Sequence, residues 1–343
     1  PPRQAQLRNI KSGTGVLLDR GLVLFFPRPA SFTGEDCGEL HLHGGRAVVA
    51  AVLETLGSFP GLRMAEAGEF TRRAFLNGKI DLPGAEALSD LIAAETEAQR
   101  RFALTNTTEA HRKLYDTWRK QLIRARALIE AELDFADESD VPGSVADTVW
   151  QEVVLLRDAI MTHAATYRDA EIIRNGFQVV IIGAPNAGKS TLLNMLARRE
   201  VAIVTDEPGT TRDVLEVALD IGGMKVVLAD TAGIREAEGR VEAIGIERSL
   251  ERARKADLVL LLEDMSAPQP IDAPSETRVI RIGTKSDLIP PGAQPRDYDC
   301  IISAQTGVGL DRLVGLLRKA SEGFSTRIGD VLPFRARHVM LLD

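Results

Sequence analysis

The clearest chemistry in this sequence lies in Gly183 to Ser190, which read GAPNAGKS. A glycine-rich loop that follows an apolar run and opens a helix presents backbone N–H groups to an anion, and the helix N-terminus adds a favourable dipole. Lys189 can reach the β- and γ-phosphates, and the Ser190 hydroxyl can ligate Mg²⁺. The spacing predicts a nucleoside triphosphate site formed by Gly183, Asn186, Ala187, Gly188, Lys189, Ser190 and Thr191.

Two further motifs supply groups for the metal and the terminal phosphate. Asp230 to Gly233 (DTAG) follows an apolar run, where a carboxylate can hold Mg²⁺ through water and Gly233 can bring its N–H toward the γ-phosphate. Between the loops lies Gly209 to Asp213 (GTTRD), whose Thr210 and Thr211 form a nucleotide-sensing switch, since a Thr hydroxyl there ligates Mg²⁺ only beside a γ-phosphate. We assign the Mg²⁺ ligands to Ser190, Thr211 and Asp230.

The base is predicted to be guanine. In Thr284 to Asp287 (TKSD), Lys285 precedes a carboxylate, Asp287, that can accept two hydrogen bonds from guanine donors that adenine lacks. Thr284 stands where patterns of this kind usually have Asn, so we expect one contact to the base to be altered. Ser303 and Ala304 follow a later apolar run and match the loop whose backbone N–H contacts the guanine oxygen. Together the motifs predict GTP.

Hydrolysis needs a group that orients the attacking water. Ras-like enzymes keep a Gln after the DTAG motif, whereas this chain has Ile234, so hydrolysis must be arranged differently. The carboxylates that follow are candidates, although each taken alone also fits a solvated surface position. They are Glu236, Glu238, Glu242 and Glu247.

The apolar pattern predicts how these motifs are positioned. Continuous apolar runs separated by helical or loop segments indicate a doubly wound α/β domain with buried parallel strands. The runs are 177–182, 225–229, 257–262, 279–282 and 300–302. Before them, from Ala85 to about Phe135, a helical stripe is formed by Leu114, Trp118, Leu122, Ala125, Ile129 and Leu133. A second helical stretch is predicted over Gln151 to Ile173, and a small α+β domain over about the first 78 residues.

Composition narrows the class of protein. With 343 residues, 44% hydrophobic and 27% charged, the chain fits a globular protein of about two or three domains. Its net charge of -7 excludes a generally cationic nucleic-acid binder, and the basic stretch Arg119 to Arg126 fits a solvated helix face better than a tRNA contact. Cys37 and Cys300 lack metal-ligand spacing, and no apolar run approaches the ~20 residues of a membrane span. We therefore expect a cytoplasmic protein.

At this point the sequence resembles a family, the tRNA-modification GTPase MnmE, also called TrmE. The nucleotide motifs and Val241 to Arg248 (VEAIGIER) are similar to those of this family, although other translational GTPases share some of them. The first half of the chain distinguishes this family from those GTPases. The segments that carry the resemblance there are Ser31 to Asp36 (SFTGED), His43 to Gly45 (HGG), Gly68 to Lys79 (GEFTRRAFLNGK) and Asp81 to Glu86 (DLPGAE). The sequence departs from the family pattern at Ala67, where Pro is usual, and at Thr284, where Asn is usual. The resemblance covers nearly the whole chain.

The resemblance implies an α/β P-loop GTPase domain of Ras-like topology inserted in a helical domain. The implied boundaries are 1–78 for an incomplete N-terminal domain that binds folate and dimerises, 79–173 and 327–343 for the two parts of the helical domain, and 174–326 for the GTPase domain. Family chains begin earlier and run on further at the C-terminus. The resemblance assigns no folate-site residues.

The resemblance also implies partners and chemistry. Partners are a second copy in a homodimer, the FAD-containing protein GidA (MnmG) and tRNA, whose wobble uridine receives an aminomethyl-type group from a tetrahydrofolate derivative. K⁺ takes the place of an arginine finger, with Asn186 as its ligand, and Glu242 orients the water. Two alternatives remain: a ribosome-assembly GTPase of the Era or Der type, which should carry its extra domain elsewhere, and a module that senses GTP without turnover.

Overall fold

The computed structural model describes residues 2–107, 110–134, 145–199, 201–203, 216–230, 254–269, 277–290 and 297–342, without the side chains of 145–148 and 230. The chain divides into two compact units, Pro1–Ser89 and Asp90–Asp343. Within the described ranges no helix is both long and apolar enough to cross a membrane.

The first unit contains a three-stranded antiparallel sheet in the order β1-β2-β3, followed by helices. The elements are β1 (Gln6–Lys11), β2 (Leu17–Phe26), β3 (Cys37–His41), α1 (Arg46–Gly57), α2 (Glu69–Leu76) and α3 (Leu82–Ile92), which runs into the second unit. Position 21 in β2 requires glycine, because a Cβ on Gly21 would lie 2.2 Å from the carbonyl oxygen of His41. The mixed α and β content agrees with the prediction for this part of the chain.

Hydrogen bonds join two of the segments that carried the family resemblance. Arg73 in α2 pairs with Glu35 at 2.9 Å and with Glu69 at 2.9 Å. Asn77 donates from Nδ2 to the carbonyl oxygen of Thr33 at 2.8 Å. The hydrogen bond from Arg63, supported by the Glu66 N–H and by Arg73, lowers the pKa of Glu69 to about 2. These contacts hold the 31–36 loop against the end of α2.

The second unit contains a six-stranded sheet in the order β5-β6-β4-β7-β8-β9. The strands are β4 (Phe177–Gly183), β5 (Glu216–Ile221), β6 (Met224–Asp230), β7 (Leu258–Asp264), β8 (Val279–Thr284) and β9 (Cys300–Ile301). All neighbours pair in parallel except β5 and β6, which are antiparallel. This order and direction are those of a Ras-like doubly wound sheet, so the predicted fold class is confirmed. The apolar runs in the sequence predict each strand of this sheet except β5.

Helices cover this sheet and extend beyond it. They are α4 (Glu97–Asn106), α5 (Ala110–Asp134), α6 (Val145–Ala165), α7 (Tyr167–Asn175), α8 (Lys189–Ala197), α9 (Leu310–Ser325) and α10 (Ala336–Met340), with a 3₁₀ turn at Ser286–Leu288. The helix predicted over Gln151 to Ile173 is divided at Thr166, the N-cap residue of α7. The predicted apolar stripe is only partly correct: Trp118 and Ala125 are buried, but Leu122 and Leu133 are 49% and 73% exposed.

One apolar cluster joins α4, α7, the sheet and the C-terminal segment of the second unit, and a smaller one lies on β4 and β7. Phe102 of α4, Leu313 of α9 and Phe334 are all at most 1% exposed and belong to the same packed cluster as the inner strands. Burying side chains on both faces of β4 and β7 explains why those strands read as unbroken apolar runs. The cluster therefore fixes the positions of the strand ends.

An aromatic group of side chains attaches the C-terminal segment to α5 and α6. The Nε2–H of His111 donates to the carbonyl oxygen of Leu332 at 2.7 Å, and the Phe334 ring lies edge-on 5.1 Å from the imidazole of His111. On α6, His163 contacts the hydroxyl of Tyr115 at 3.1 Å. Burial, with repulsion from the neighbouring histidines, lowers the pKa of His163 to about 4. The imidazole of His163 is therefore neutral at neutral pH.

Two glycines, one at the N-cap of α9 and one inside it, provide a matched test of how closely the start of α9 approaches β9. Gly309, the N-cap residue, has φ +82, and a Cβ there would lie 2.0 Å from the carbonyl oxygen of Ile301. We expect Gly309→Ala to lower the free energy of unfolding by at least about 2 kcal/mol. Gly315 lies inside the helix with nothing within 4 Å of its Cβ position, so Gly315→Ala should raise stability by up to about 1 kcal/mol. Urea denaturation followed by circular dichroism measures both; equal effects of the two substitutions would contradict the close approach at Gly309.

Candidate nucleotide-binding site

The predicted motifs meet at the carboxyl edge of the parallel sheet. The strand register places Asp230, the last residue of β6, beside Ile181 of β4, and Gly183 beside Leu262 of β7. Farther along, Thr284 at the end of β8 lies beside Asp264. Ligands of open α/β sheets bind outside the carboxyl ends of the strands, where the order of the strands reverses. In this sheet the reversal lies around β4, the strand that leads into the glycine-rich loop.

The glycine-rich loop adopts a backbone that its sequence dictates. Asn186 has φ 64 and Gly188 has φ 92, both in the left-handed region. Gly183 begins the loop so close to β7 that a Cβ would lie 2.7 Å from the carbonyl oxygen of Leu262. Ala187 is completely buried. Small residues at 183 and 187 are thus needed because the backbone of the loop packs closely against its surroundings. The same small side chains leave room for an anion beside the loop.

Lys189 and the first turn of α8 complete the phosphate side of the site. The Lys189 ammonium is 2.8 Å from the carbonyl oxygen of Gly183 and 3.0 Å from that of Ala184, so the side chain folds back over the loop. Gly188 caps α8 without a side-chain hydrogen bond, which leaves N–H groups of the first turn for an anion. Ser190 and Thr191 are exposed in the same turn. A positive charge, amide donors and a hydroxyl therefore converge there.

The loop after β8 is held by an ion pair that the sequence did not indicate. Lys285 has φ 56, and its ammonium lies 2.5 Å from Oδ2 of Asp264 at the end of β7. Burial alone would raise the pKa of Asp264, but hydrogen bonds from Lys285 and from the O–H and N–H of Ser266 hold it below its usual range. Asp264 is therefore a charged partner of Lys285 in this structure.

Asp287 is oriented by a neighbouring hydroxyl. Ser303 is buried, and its Oγ donates to Oδ1 of Asp287 at 2.6 Å, while Asp287 itself is exposed. The Ser303 N–H donates to the carbonyl oxygen of Val308 at 3.0 Å. Of the two residues expected to contact the base through backbone N–H groups, Ser303 thus acts through its side chain. A contact between the Ala304 N–H and the base stays a prediction.

Thr284 is buried, and its hydroxyl contacts the backbone of two other segments. It is 4% exposed, and its hydroxyl is 2.9 Å from the carbonyl oxygen of Ala187 and 3.2 Å from that of Glu263. The contact with Ala187 joins the loop after β8 to the glycine-rich loop. The structure therefore gives Thr284 a contact that the sequence did not predict.

The remaining predicted residues lie outside the described part of the chain. They are Thr210, Thr211, Gly233, Glu242 and the other candidate carboxylates, Glu236, Glu238 and Glu247. Asp230 is placed by its backbone alone. Among the residues that the structure describes, no group of three or more His, Cys, Asp or Glu side chains is arranged to hold a metal ion.

Comparisons with known proteins cover the whole chain. Residues 82–343 match the family model of the MnmE helical domain, and residues 1–79 match that of the GTP-binding protein TrmE N-terminus. The tRNA modification GTPase MnmE of Chelativorans sp. (strain BNC1) is 68% identical over 99% of this chain and 77% of its own length. That of Mesorhizobium japonicum is 58% identical over 99% of this chain and 78% of its own length.

One of the solved structures similar to this chain matches part of it. A crystal structure of Aquifex aeolicus Era bound to GDP and AlF4⁻ has 28% identity and a TM-score of 0.31, and the match covers 42% of this chain and 56% of that one. The strand order reported above, rather than this match, identifies the fold.

The contact between Ser303 and Asp287 yields a test of the base site. Ser303→Ala removes the hydroxyl that orients the carboxylate, so we expect guanine nucleotide binding to weaken by about 1 to 2 kcal/mol, roughly five- to thirtyfold in Kd. Calorimetry with GDP measures the change. Gln305→Ala, an exposed neighbour in the same loop, serves as the control and should bind as the unaltered chain does. An unaffected Ser303→Ala variant would refute this role of the hydroxyl.

Proposed function

Because the chain belongs to the MnmE family of tRNA modification GTPases, we propose that it binds and hydrolyses GTP at the sheet edge described above and takes part in tRNA modification. The observation that carries the proposal is the meeting of the glycine-rich loop with Asp287 and its partner Ser303 at one edge of the sheet. A site of this kind offers donors to phosphates on one side and a carboxylate to a base on the other.

On the phosphate side, amide groups of Gly183 to Thr191 and the Lys189 ammonium bind the triphosphate. Mg²⁺ would be held by Ser190, Thr211 and Asp230, an oxygen-rich set of the kind that this ion prefers. The exposed position of Ser190 in the first turn of α8, and the placement of Asp230 beside β4, fit that role. Bound there, the ion neutralises phosphate charge. Thr210, Thr211 and Gly233 would respond to the γ-phosphate.

On the base side, the Asp287 carboxylate accepts from the two donors of guanine, and the Ala304 N–H donates to its oxygen. Ser303 keeps Asp287 in place through the hydroxyl contact at 2.6 Å. Lys285, which forms an ion pair with Asp264, lies in the same loop as Asp287. Because adenine lacks the donors that Asp287 requires, this arrangement favours GTP over ATP.

Hydrolysis requires added positive charge and an oriented water. We assign the first to K⁺, with the side-chain oxygen of Asn186 as a ligand, and the second to Glu242. Asn186 is exposed at the bend of the glycine-rich loop with φ 64, a position that suits a ligand for a cation beside the phosphates. A positive charge at that place supplies what phosphoryl transfer needs in its transition state.

The wider reaction involves partners. We propose that the protein acts as a homodimer with the flavoprotein GidA (MnmG) in the cytoplasm. Together they place an aminomethyl-type group on the wobble uridine of tRNA by means of a tetrahydrofolate derivative. The domain limits of 1–78, 79–173, 174–326 and 327–343 remain a prediction within this proposal. A ribosome-assembly GTPase of the Era or Der type is disfavoured, because both MnmE family models match along the chain.

Cation dependence tests the proposed hydrolysis directly. Phosphate release by the purified chain should be faster in KCl than in NaCl by on the order of tenfold or more, because Na⁺ does not fit a site formed for K⁺. The assay is run at constant ionic strength, with and without the flavoprotein partner. Equal rates in the two salts would remove Asn186 as a cation ligand, and no release in either would favour a module that senses GTP without turnover.

A substitution tests the water-orienting carboxylate. Glu242→Ala should lower kcat by about 10²- to 10⁴-fold while GTP affinity stays within about threefold, because the group acts on the water rather than on the nucleotide. Glu236→Ala, which alters a carboxylate of the same segment, is the matched control and should still hydrolyse GTP. A large loss of GTP binding with hydrolysis preserved would assign Glu242 to a different role.

A further inference from the structure

We infer that one exposed side of α5 is a docking surface for the phosphate backbone of tRNA. The inference rests on the proposed role in tRNA modification and names the part of the chain that contacts the RNA. The sequence alone favoured a solvated helix face for Arg119 to Arg126, whereas the placement of the charges in the structure favours a binding surface. We call this surface the basic face of α5, and its residues are Arg112, Lys113, Arg119, Lys120, Arg124 and Arg126.

One side of α5 is fixed in the core, and the basic face lies on its other sides. The buried residues of α5 recur at seven-residue spacing and are His111, Trp118 and Ala125. An arginine follows each of them in the chain, at 112, 119 and 126, and a lysine follows the first two of these arginines. Because each residue turns a helix by about 100°, these positions form two rows, about 100° and 200° round the helix from the buried side. All of them are exposed, and the two rows extend over roughly 21 Å at 1.5 Å per residue.

Charge is segregated along α5 in a way that helix stability does not explain. Between Arg112 and Arg126 there are six basic residues and one acidic residue, Asp116, whereas the last five residues of the helix include three acidic ones. A helix is stabilised by acidic side chains near its N-terminus and by basic ones near its C-terminus. The described helix α5 has no acidic residue in its first turn and no basic residue in its last. Local departures of this kind from what the fold favours are expected at functional sites.

Neighbouring acids leave most of the basic face with its charge uncompensated. In the part of the chain that the structure describes, no ion pair involves Arg112, Arg119, Lys120 or Arg124. Arg126 pairs with Glu130 at 2.7 Å, but its side chain is 80% exposed, and exposed pairs of this kind contribute little. A solvated helix face usually carries both signs of charge in alternation. The basic face therefore presents a local positive field on a chain whose net charge is -7.

A nucleic-acid backbone complements such a field. Its phosphates form a regular row of negative charges, and their neutralisation by Lys and Arg releases counterions, which supplies affinity without reading the base sequence. Folded RNA is recognised largely through its shape and its phosphates. The RNA that the proposed function provides is tRNA. A rigid helix with its cations already in place meets several phosphates without ordering a loop.

The test measures how the full chain binds tRNA after charges on α5 are removed. A triple variant with Arg119→Gln, Lys120→Gln and Arg124→Gln loses three charges and keeps residues that favour a helix. Fluorescence anisotropy of a labelled, unmodified tRNA transcript gives Kd over a series of KCl concentrations. We expect binding to weaken by about tenfold or more at low salt. The slope of log Kd against log salt should fall by about two to three, because each lost charge releases about one counterion fewer.

A triple variant on another helix is the matched control. Arg312→Gln, Arg318→Gln and Lys319→Gln together remove the same charges from exposed positions of α9. This variant should bind tRNA within about twofold of the unaltered chain. Circular dichroism checks the fold of both variants. Both should also bind GDP and hydrolyse GTP as the unaltered chain does, because neither alters the nucleotide site.

Three results would overturn the inference: an α5 variant that binds tRNA as the unaltered chain does, an equal loss of affinity in the α9 variant, or no binding of tRNA by the unaltered chain. Co-precipitation with the flavoprotein partner provides a fourth, because an α5 variant that loses that complex and keeps its tRNA affinity would assign the basic face to a protein. Failure of the proposed GTPase activity is recognised separately, by phosphate release from GTP in the absence of tRNA.

Discussion

The close pairing of β4 with β7 is the constraint on which the nucleotide site depends. At Gly183 the two strands approach until a Cβ would lie 2.7 Å from the carbonyl oxygen of Leu262, and the glycine-rich loop leaves the sheet from that point. Parallel pairing on the other side of β4 brings Asp230 to the same edge. The central residues of β4 and β7 are buried and apolar on both faces, which favours this register, and the site residues fall at the strand ends.

Support for the site comes from side chains that bond to main-chain groups or to other side chains near it. Thr284 donates to Ala187, Lys285 is held by Asp264, and Ser303 donates to Asp287. Each of these contacts joins residues that are far apart in the sequence. The loops after β7, β8 and β9 are consequently linked to one another and to the glycine-rich loop.

The residues of the site could be predicted from the sequence more easily than the side-chain contacts that hold them, for physical reasons. Phosphate binding requires local features, namely glycine, a following lysine and a helix start, so Gly183 to Ser190 can be recognised in isolation. Burial depends on partners distant in the chain. For that reason β5 was missed, because its apolar residues alternate with polar ones and Leu219 and Ile221 are buried by packing in the core cluster. Leu122 and Leu133 carry the helical period yet lie exposed, because periodicity gives a face and not its partner. The contact between Asp264 and Lys285 likewise has no local signal.

Affinity and selectivity are divided between buried and exposed parts of this edge. The contact between Thr284 and Ala187, which shapes the glycine-rich loop, joins two buried residues and uses a backbone carbonyl oxygen, where an unpaired group costs most. Asp287, which we propose selects the base, is exposed and accepts a hydrogen bond from the Ser303 hydroxyl. In the proposed site we therefore expect a change at the exposed carboxylate to alter the base that is preferred and to leave the sheet and the glycine-rich loop intact. We expect a change in the buried contacts to alter how tightly a nucleotide is held, because the phosphates of each nucleotide would bind to the same backbone.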